Sequence, residues 1–487
     1  MSTTADPVSP PNWLEHLKIL LDDLCLTREQ ALQELKENLQ TAVEIELATL
    51  PIYLYTYYSI NRIKTTGEQL NLASRYANKA GGTIMSIAVE EMLHMSLSAN
   101  ILYSMGVEPQ LYRRSPASYP TPLPYHNPKG PPGPDGDRKV LIPLSKFSYE
   151  QLWHFLQIEY PEPKYAWPKD RNWNTIGQFY AYIRCLIECD HIKDEDFQVN
   201  RPEIQIQGYN YSPNSVDTIY PDRKFDPWGL PPAQGEGNLA SVGNYPCAAA
   251  VAQYPNEPDS HAGPAELITI KSKFDALTAI ATICDQGEGY AHQATDDPSQ
   301  AEYSHYYKFL RLQAQFEQYP HHTERLPDLP EPPDPISPTV TDAELKQFVC
   351  NFPDNPTTAK YPYEYQALSN LCSGIYQYML IMTETIYKVP DPEQKLFFNQ
   401  AMHRSMIWVL DKLIQHMRKF EIDQGDYKGH VLAPTFENYD LGLRKDAHAT
   451  LIKLTEALPK KQYDGLTGKG WILDALEALP DVSPYWQ

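Results

Sequence analysis

One stretch limits what this chain can fold into: Thr83 to Gly106, reading TIMSIAVEEMLHMSLSANILYSMG. Its carboxylates and imidazole are Glu90, Glu91 and His94, and the residues around them are apolar or small. A run this long, with no proline and no glycine before its end, predicts a helix buried on most of its faces. Two carboxylates and an imidazole inside such a helix are costly to bury without compensation. Glu91 and His94 stand three residues apart and project from one face. That Glu-x-x-His spacing is the one with which bundle helices hold carboxylate-bridged metal pairs. A buried Glu–His hydrogen bond without metal is the other reading of the same residues.

The chain has 487 residues and a formal net charge of -21, which argues against nucleic acid or an anionic membrane as a partner. No stretch approaches the roughly 18 apolar residues of a membrane span. The first residues, MSTTADPVSPPNW, have neither the basic start nor the apolar core of a secretion signal. Seven scattered cysteines without a CxxC pair fit a reduced, cytoplasmic protein.

Taken in order, Trp13 to Leu24 is a short amphipathic segment, and Thr27 caps a helix that extends to about Asn61. Glu44 and Glu46 interrupt its apolar second half. They lie about 200° apart around the axis, so only one can face a bundle centre. Pro51 falls inside this helix and predicts a kink beside Glu46. The helix with Glu91 and His94 follows, then a proline-rich excursion. Ser148 to Gln157, Ile176 to Cys189, Ala265 to Gly287 and Gln300 to Phe316 read as further helices. Residues 198 to 246 alternate short β-prone runs with turn residues, as a hairpin or a lid would. Beyond a proline-dense stretch come two long helices, Tyr363 to Tyr387 and Glu393 to Phe420, and two short ones near the end.

The expected organisation is mostly α. A metal-binding bundle spans 12–317, with insertions at about 107–147 and 190–264. A linker covers 318–342, and a C-terminal helical region, 343–487, packs on the bundle. A carboxylate-bridged site takes one Glu from each of two helices and a Glu-x-x-His from each of two others. Three Glu-x-x-His pairs occur: Glu91/His94, Glu188/His191 and Glu302/His305. The second runs into the charged segment KDED and reads as a solvated helix end. The third sits among aromatic residues. With Glu46 and Glu288 as the lone acids, the predicted metal ligands are Glu46, Glu91, His94, Glu288, Glu302 and His305. Mixed oxygen and nitrogen donors suit two divalent ions, iron first and manganese second. Tyr53, Tyr55, Tyr306 and Tyr307 read as packing.

The runs ELATLPIYLY from Glu46, AVEEMLHM around Glu91, QGEG at Glu288 and SHYYKF from Ser304 resemble the ferritin-like iminophenyl-pyruvate dimer synthase family, which includes enzymes of bisindole-pigment biosynthesis. APTFENY around Thr435 resembles a C-terminal motif of the same group. The likeness covers most of residues 12 to 440. It implies a ferritin-like four-helix bundle with long insertions and oxidative coupling of imines derived from amino acids. One departure stands out: Gln178 occupies the IGxFY helix where an acid is expected.

Three functions follow as expectations. The first is a two-metal oxidoreductase acting on a small secondary-metabolite precursor, assembled as a monomer or a homo-oligomer. The second is a metal-binding protein that handles iron without turnover. The third is a structural partner whose acids form only a buried polar network.

Overall fold

In a computed structural model, residues 26–61, 71–122, 141–160, 175–208, 267–287, 304–319, 340–459 and 471–487 are described. Two long helices carry the fold, α1 (Arg28–Ser59) and α2 (Leu72–Ser104). Thr27 opens α1 with a reciprocal capping box: its hydroxyl accepts from the Gln30 amide, and the Gln30 side chain accepts from Thr27 N. Asn71 caps α2 by accepting from the Ser74 amide at 2.8 Å. At the other end Gly106 takes φ +80°, the left-handed turn after a helix that a side chain would strain. The α1 helix continues through Pro51, whose neighbours are buried.

The short helix α3 (Tyr149–Ile158) is followed by α4 (Ile176–Glu188), α5 (Lys273–Gln286) and α6 (His305–Gln313). Helices α1, α2, α5 and α4 pack in a ring, each against the next, which makes the four-helix bundle. The shorter α3 and α6 pack on one another, and α6 also lies against α2. The rings of Tyr53, Phe155 and Phe309 join α1, α3 and α6 at centroid separations of 4.7 to 5.4 Å.

The helix expected over Ala265 to Gly287 begins later, at Lys273. Residues before it are drawn into tertiary hydrogen bonds instead. Asn100 Nδ2 donates to the Ile268 carbonyl, and the Ile270 amide donates to Gln205 Oε1. Those partners replace the bonds a helix would have given this backbone.

After α7 (Asp342–Leu345) comes α8 (Tyr363–Ile386). The helix expected over Glu393 to Phe420 is present in three parts: α9 (Glu393–Phe398), a π-helical stretch (Asn399–Leu410) and α10 (Asp411–Met417). Two short helices follow, α11 (Ala447–Glu456) and α12 (Trp471–Glu477). This region meets the bundle at defined points. Arg418 Nη1 donates to the carbonyls of Tyr58 and Ile60 at 3.0 Å each, closing the free C-terminal end of α1. Tyr58 donates to the Met406 carbonyl, and Tyr387 to Asn100 Oδ1. Buried apolar residues from Ala31 to Val482 form one contiguous core.

Among the described residues no helix is long and apolar enough to cross a membrane. The segment from Trp13 to Leu24, most of the 198–246 region and residues 320–339 of the expected linker lie outside the described residues.

Candidate metal centre

Helix geometry decides between the paired acids. Glu46 points into the bundle, where Tyr180 of α4 donates to its Oε1 at 2.6 Å. Glu44, on the far side of α1, is half-buried, with Arg114 at 3.6 Å. On α2, Glu91 turns toward Glu46, Thr49 and His305, while Glu90 turns toward Lys308. His94 lies on the Glu91 face, its Nε2 3.1 Å from Gln286 Oε1 at the end of α5.

His305 is the first residue of α6 and completely buried. Its ring stands 5.3 Å from that of His94, 26° from parallel. The Nε2 atom bonds to Glu90 Oε2 at 2.7 Å. The Nδ1 atom lies 2.9 Å from Glu91 Oε1 and 3.5 Å from Glu159 Oε2, but it is aligned for a hydrogen bond with neither. Distance alone would count these as bonds; the angle rules them out. One donor atom from each of Glu91, His94 and His305 falls within 4.8 Å of the others, the spread of a set that could share one ion.

Glu159 was not foreseen from the sequence. It is the residue that ends α3, buried, and Tyr53 donates to its Oε1. The phenol of Tyr53, expected as packing, thus carries a polar contact as well. Glu159 gives the site the further carboxylate that Gln178 does not supply, since α4 contributes the Tyr180 hydroxyl instead. Nothing in the local sequence IEYPEP from Ile158 marks Glu159 out. Only the packing of α3 on α6 brings it in.

Of the six ligands expected from the sequence, Glu46, Glu91, His94 and His305 come together. Glu288 and Glu302 lie outside the described residues. His191 is exposed beyond the end of α4, and Glu188 pairs with Arg184 at 3.1 Å.

Among the described residues of the centre, four buried carboxylates, Glu46, Glu90, Glu91 and Glu159, face one buried ammonium, Lys308. Without metal the surplus must be met by protons. Burial, then the neighbouring Glu91, raises the Glu46 carboxyl well above its ordinary range, so Glu46 holds a proton toward Glu91. Burial opposes ionisation of Glu91 too, but the bond from Glu46 and the charge of His305 close by outweigh it and bring that carboxyl down to about 2. Glu159 is raised by burial and then by Glu91. Burial lowers His94 to about 4, which leaves it a neutral imidazole at neutral pH. Burial acts the same way on His305, yet the acids around it prevail, Glu159 foremost, and raise it.

The space between these groups is about 290 Å³ including its open mouth, bounded by Glu46, Glu91, His94, Glu159, Ile176 and Tyr180, by Ile283 and Cys284 of α5 and by Gly287 just beyond that helix. Gly287 keeps it open. A Cβ there would stand 3.8 Å from both Glu159 Oε2 and His94 Cε1, and 3.2 Å from the Ile283 carbonyl. The residues present fit a divalent cation on three counts: a nitrogen without an aligned partner, an excess of acids, and room beside them.

The Ferritin-like family model matches residues 39–314, which hold every site residue described above. A solved structure of a ferritin like protein from Caulobacter vibrioides aligns over 78% of this chain and 95% of its own, at 17% identity and a TM-score of 0.38. No curated protein sequence matches.

Proposed function

The chain belongs to the Ferritin-like family, and from that premise we propose that it is a metal-dependent oxidoreductase acting on a small molecule. The ions it would hold are two divalent cations, iron first and manganese second. The substrate class is an amino-acid-derived imine or a related secondary-metabolite precursor, joined by oxidative coupling. The observation that carries the reading is His305 Nδ1, a buried nitrogen without an aligned partner beside two carboxylates and a second histidine.

Glu91, His94 and His305 would hold one ion, with Glu46 and Glu159 flanking the place for a second. Such a pair supplies Lewis acidity and one-electron redox chemistry when bound. The chain's own residues do the rest. The hydroxyls of Tyr180, Tyr53 and Thr49 orient the Glu46, Glu159 and Glu91 carboxylates. Ile176 and Ile283 line the cavity beside the acids, and Gly287 leaves space next to His94.

The test is oxygen uptake by iron-loaded protein supplied with α-imino and α-keto acids. Uptake that depends on both metal and substrate, and disappears in Glu91→Ala, is expected. Metal binding with no uptake on any such substrate would leave iron handling without turnover as the function. Absence of metal binding would reduce the cluster to a buried polar network.

A further inference from the structure

Lys308 stands outside the donor set, yet it is buried at its edge. Its side chain is 2% exposed, and its Nζ lies 2.9 and 2.7 Å from the two oxygens of Glu90. Glu90 Oε2 is shared, since His305 Nε2 approaches the same atom at 2.7 Å. A buried ion pair is weak support for a fold, because desolvation consumes most of the attraction. This pair is placed where it acts on the far side of an imidazole whose near side faces the cavity's acids.

We infer that Lys308 and Glu90 are positioning residues for the metal centre: Lys308 anchors Glu90, Glu90 holds the Nε2–H of His305, and the ring is thereby set with Nδ1 toward Glu91 and Glu159. The inference rests on the reading of Glu91, His94 and His305 as metal donors. A carboxylate beside an ammonium can only accept a hydrogen bond. The proton of a neutral His305 therefore belongs on Nε2, and the lone pair is left on Nδ1. His94 provides the contrast. Its partner is the amide of Gln286, which accepts through oxygen and donates through nitrogen, so that contact does not fix where the His94 proton sits. One histidine has its tautomer imposed by two charged groups and the other does not. Carboxylates behind metal-bound histidines serve this purpose, and their loss weakens metal affinity by about 10- to 100-fold.

The experiment is cobalt(II) titration of the full, metal-free chain, followed by visible absorption. The variant is the double change Glu90→Gln with Lys308→Met, which removes both charges and leaves neither buried alone. Its melting curve without metal is expected to stay near that of the unaltered protein. The side-chain amide introduced by Glu90→Gln can accept from Nε2–H or donate to a bare Nε2, so the ring loses its imposed tautomer. The expected result is about tenfold or greater weakening of cobalt binding and an altered absorption spectrum at saturation. Unchanged affinity and spectrum in a variant that folds would overturn the positioning role alone. Failure of the unaltered protein to bind cobalt would instead overturn the metal reading beneath it. If the double variant does not fold, nitrogen-labelled histidine spectra of the unaltered protein loaded with zinc decide the matter. Coordination of His305 through Nδ1 with the proton on Nε2 supports the inference; coordination through Nε2 ends it.

Discussion

At the scale of single residues, direction decides the centre: which of two neighbouring acids, and which of two histidines, faces it. Glu46→Gln keeps a partner for Tyr180 but removes a charge from the donor side, and metal affinity should fall by at least about tenfold. Glu44→Gln touches only Gln40 and Arg114 at the half-buried face and should leave affinity within about threefold, under 1 kcal/mol. Equal losses from both would place the wrong side of α1 at the site. In the same way His305→Ala should abolish binding while exposed His191→Ala leaves it within about threefold. The protonation of these groups adds a pH dependence with a definite sign. Glu46 and Glu159 have raised pKa values in the folded protein. Their protonated forms therefore stabilise the metal-free fold at low pH, and that contribution is lost as pH rises through the raised values. Metal ions take the protons' place and are favoured as pH rises. Above about pH 6.5 His94 is already neutral in the fold, so metal binding displaces no proton from it and it does not oppose the trend. The gain in melting temperature on adding manganese should widen between about pH 6.5 and pH 8. A gain that stays constant over that range would mean these acids are already ionised by about pH 6.5 without metal.

At the scale of elements, α2 and the start of α1 were legible in the sequence because local signals and burial agree there. The Thr27 cap, the apolar run of α2 and the angular separation of Glu44 and Glu46 each follow from one helix at a time. Glu159 and the role of Glu90 were not legible. Glu159 depends on α3 packing against α6, and Glu90 on α6 lying against α2, contacts between segments far apart in sequence. The late start of α5 was hidden for the same reason, since Asn100 and Gln205 claim the backbone before it. A further tertiary device sits where the C-terminal helices meet the bundle. Glu384 of α8 accepts from the amides of Leu111 and Tyr112 at 2.7 and 2.8 Å, and from Arg444, whose guanidinium lies over the rings of Tyr112 and Trp486. Glu384→Ala would strand two buried amides and a partly exposed guanidinium. We expect about 2–4 kcal/mol of lost stability in urea unfolding, with metal affinity unchanged. A loss below about 0.5 kcal/mol would show that this junction is not needed to hold the helices together.

At the scale of the whole molecule, a metal bound at the candidate centre and the fold would form one thermodynamic system. Four buried acids against one lysine are tolerated without metal only because protons are taken up, and any ion that binds the folded form alone adds to its stability. At a free ion concentration about 100 times the dissociation constant the gain is about 2.7 kcal/mol, so chelation should lower the melting temperature by several degrees. The ring of α1, α2, α5 and α4 surrounds Glu46, Glu91 and His94, with α3 and α6 adding Glu159, His305 and Lys308 from outside the ring. The most direct measurement of the central claim is elemental analysis of the full chain after anaerobic loading with iron or manganese and removal of excess ion. The account predicts about two ions per chain, falling to almost none in Glu91→Ala. Fewer than about half an ion per chain in the unaltered protein would contradict it.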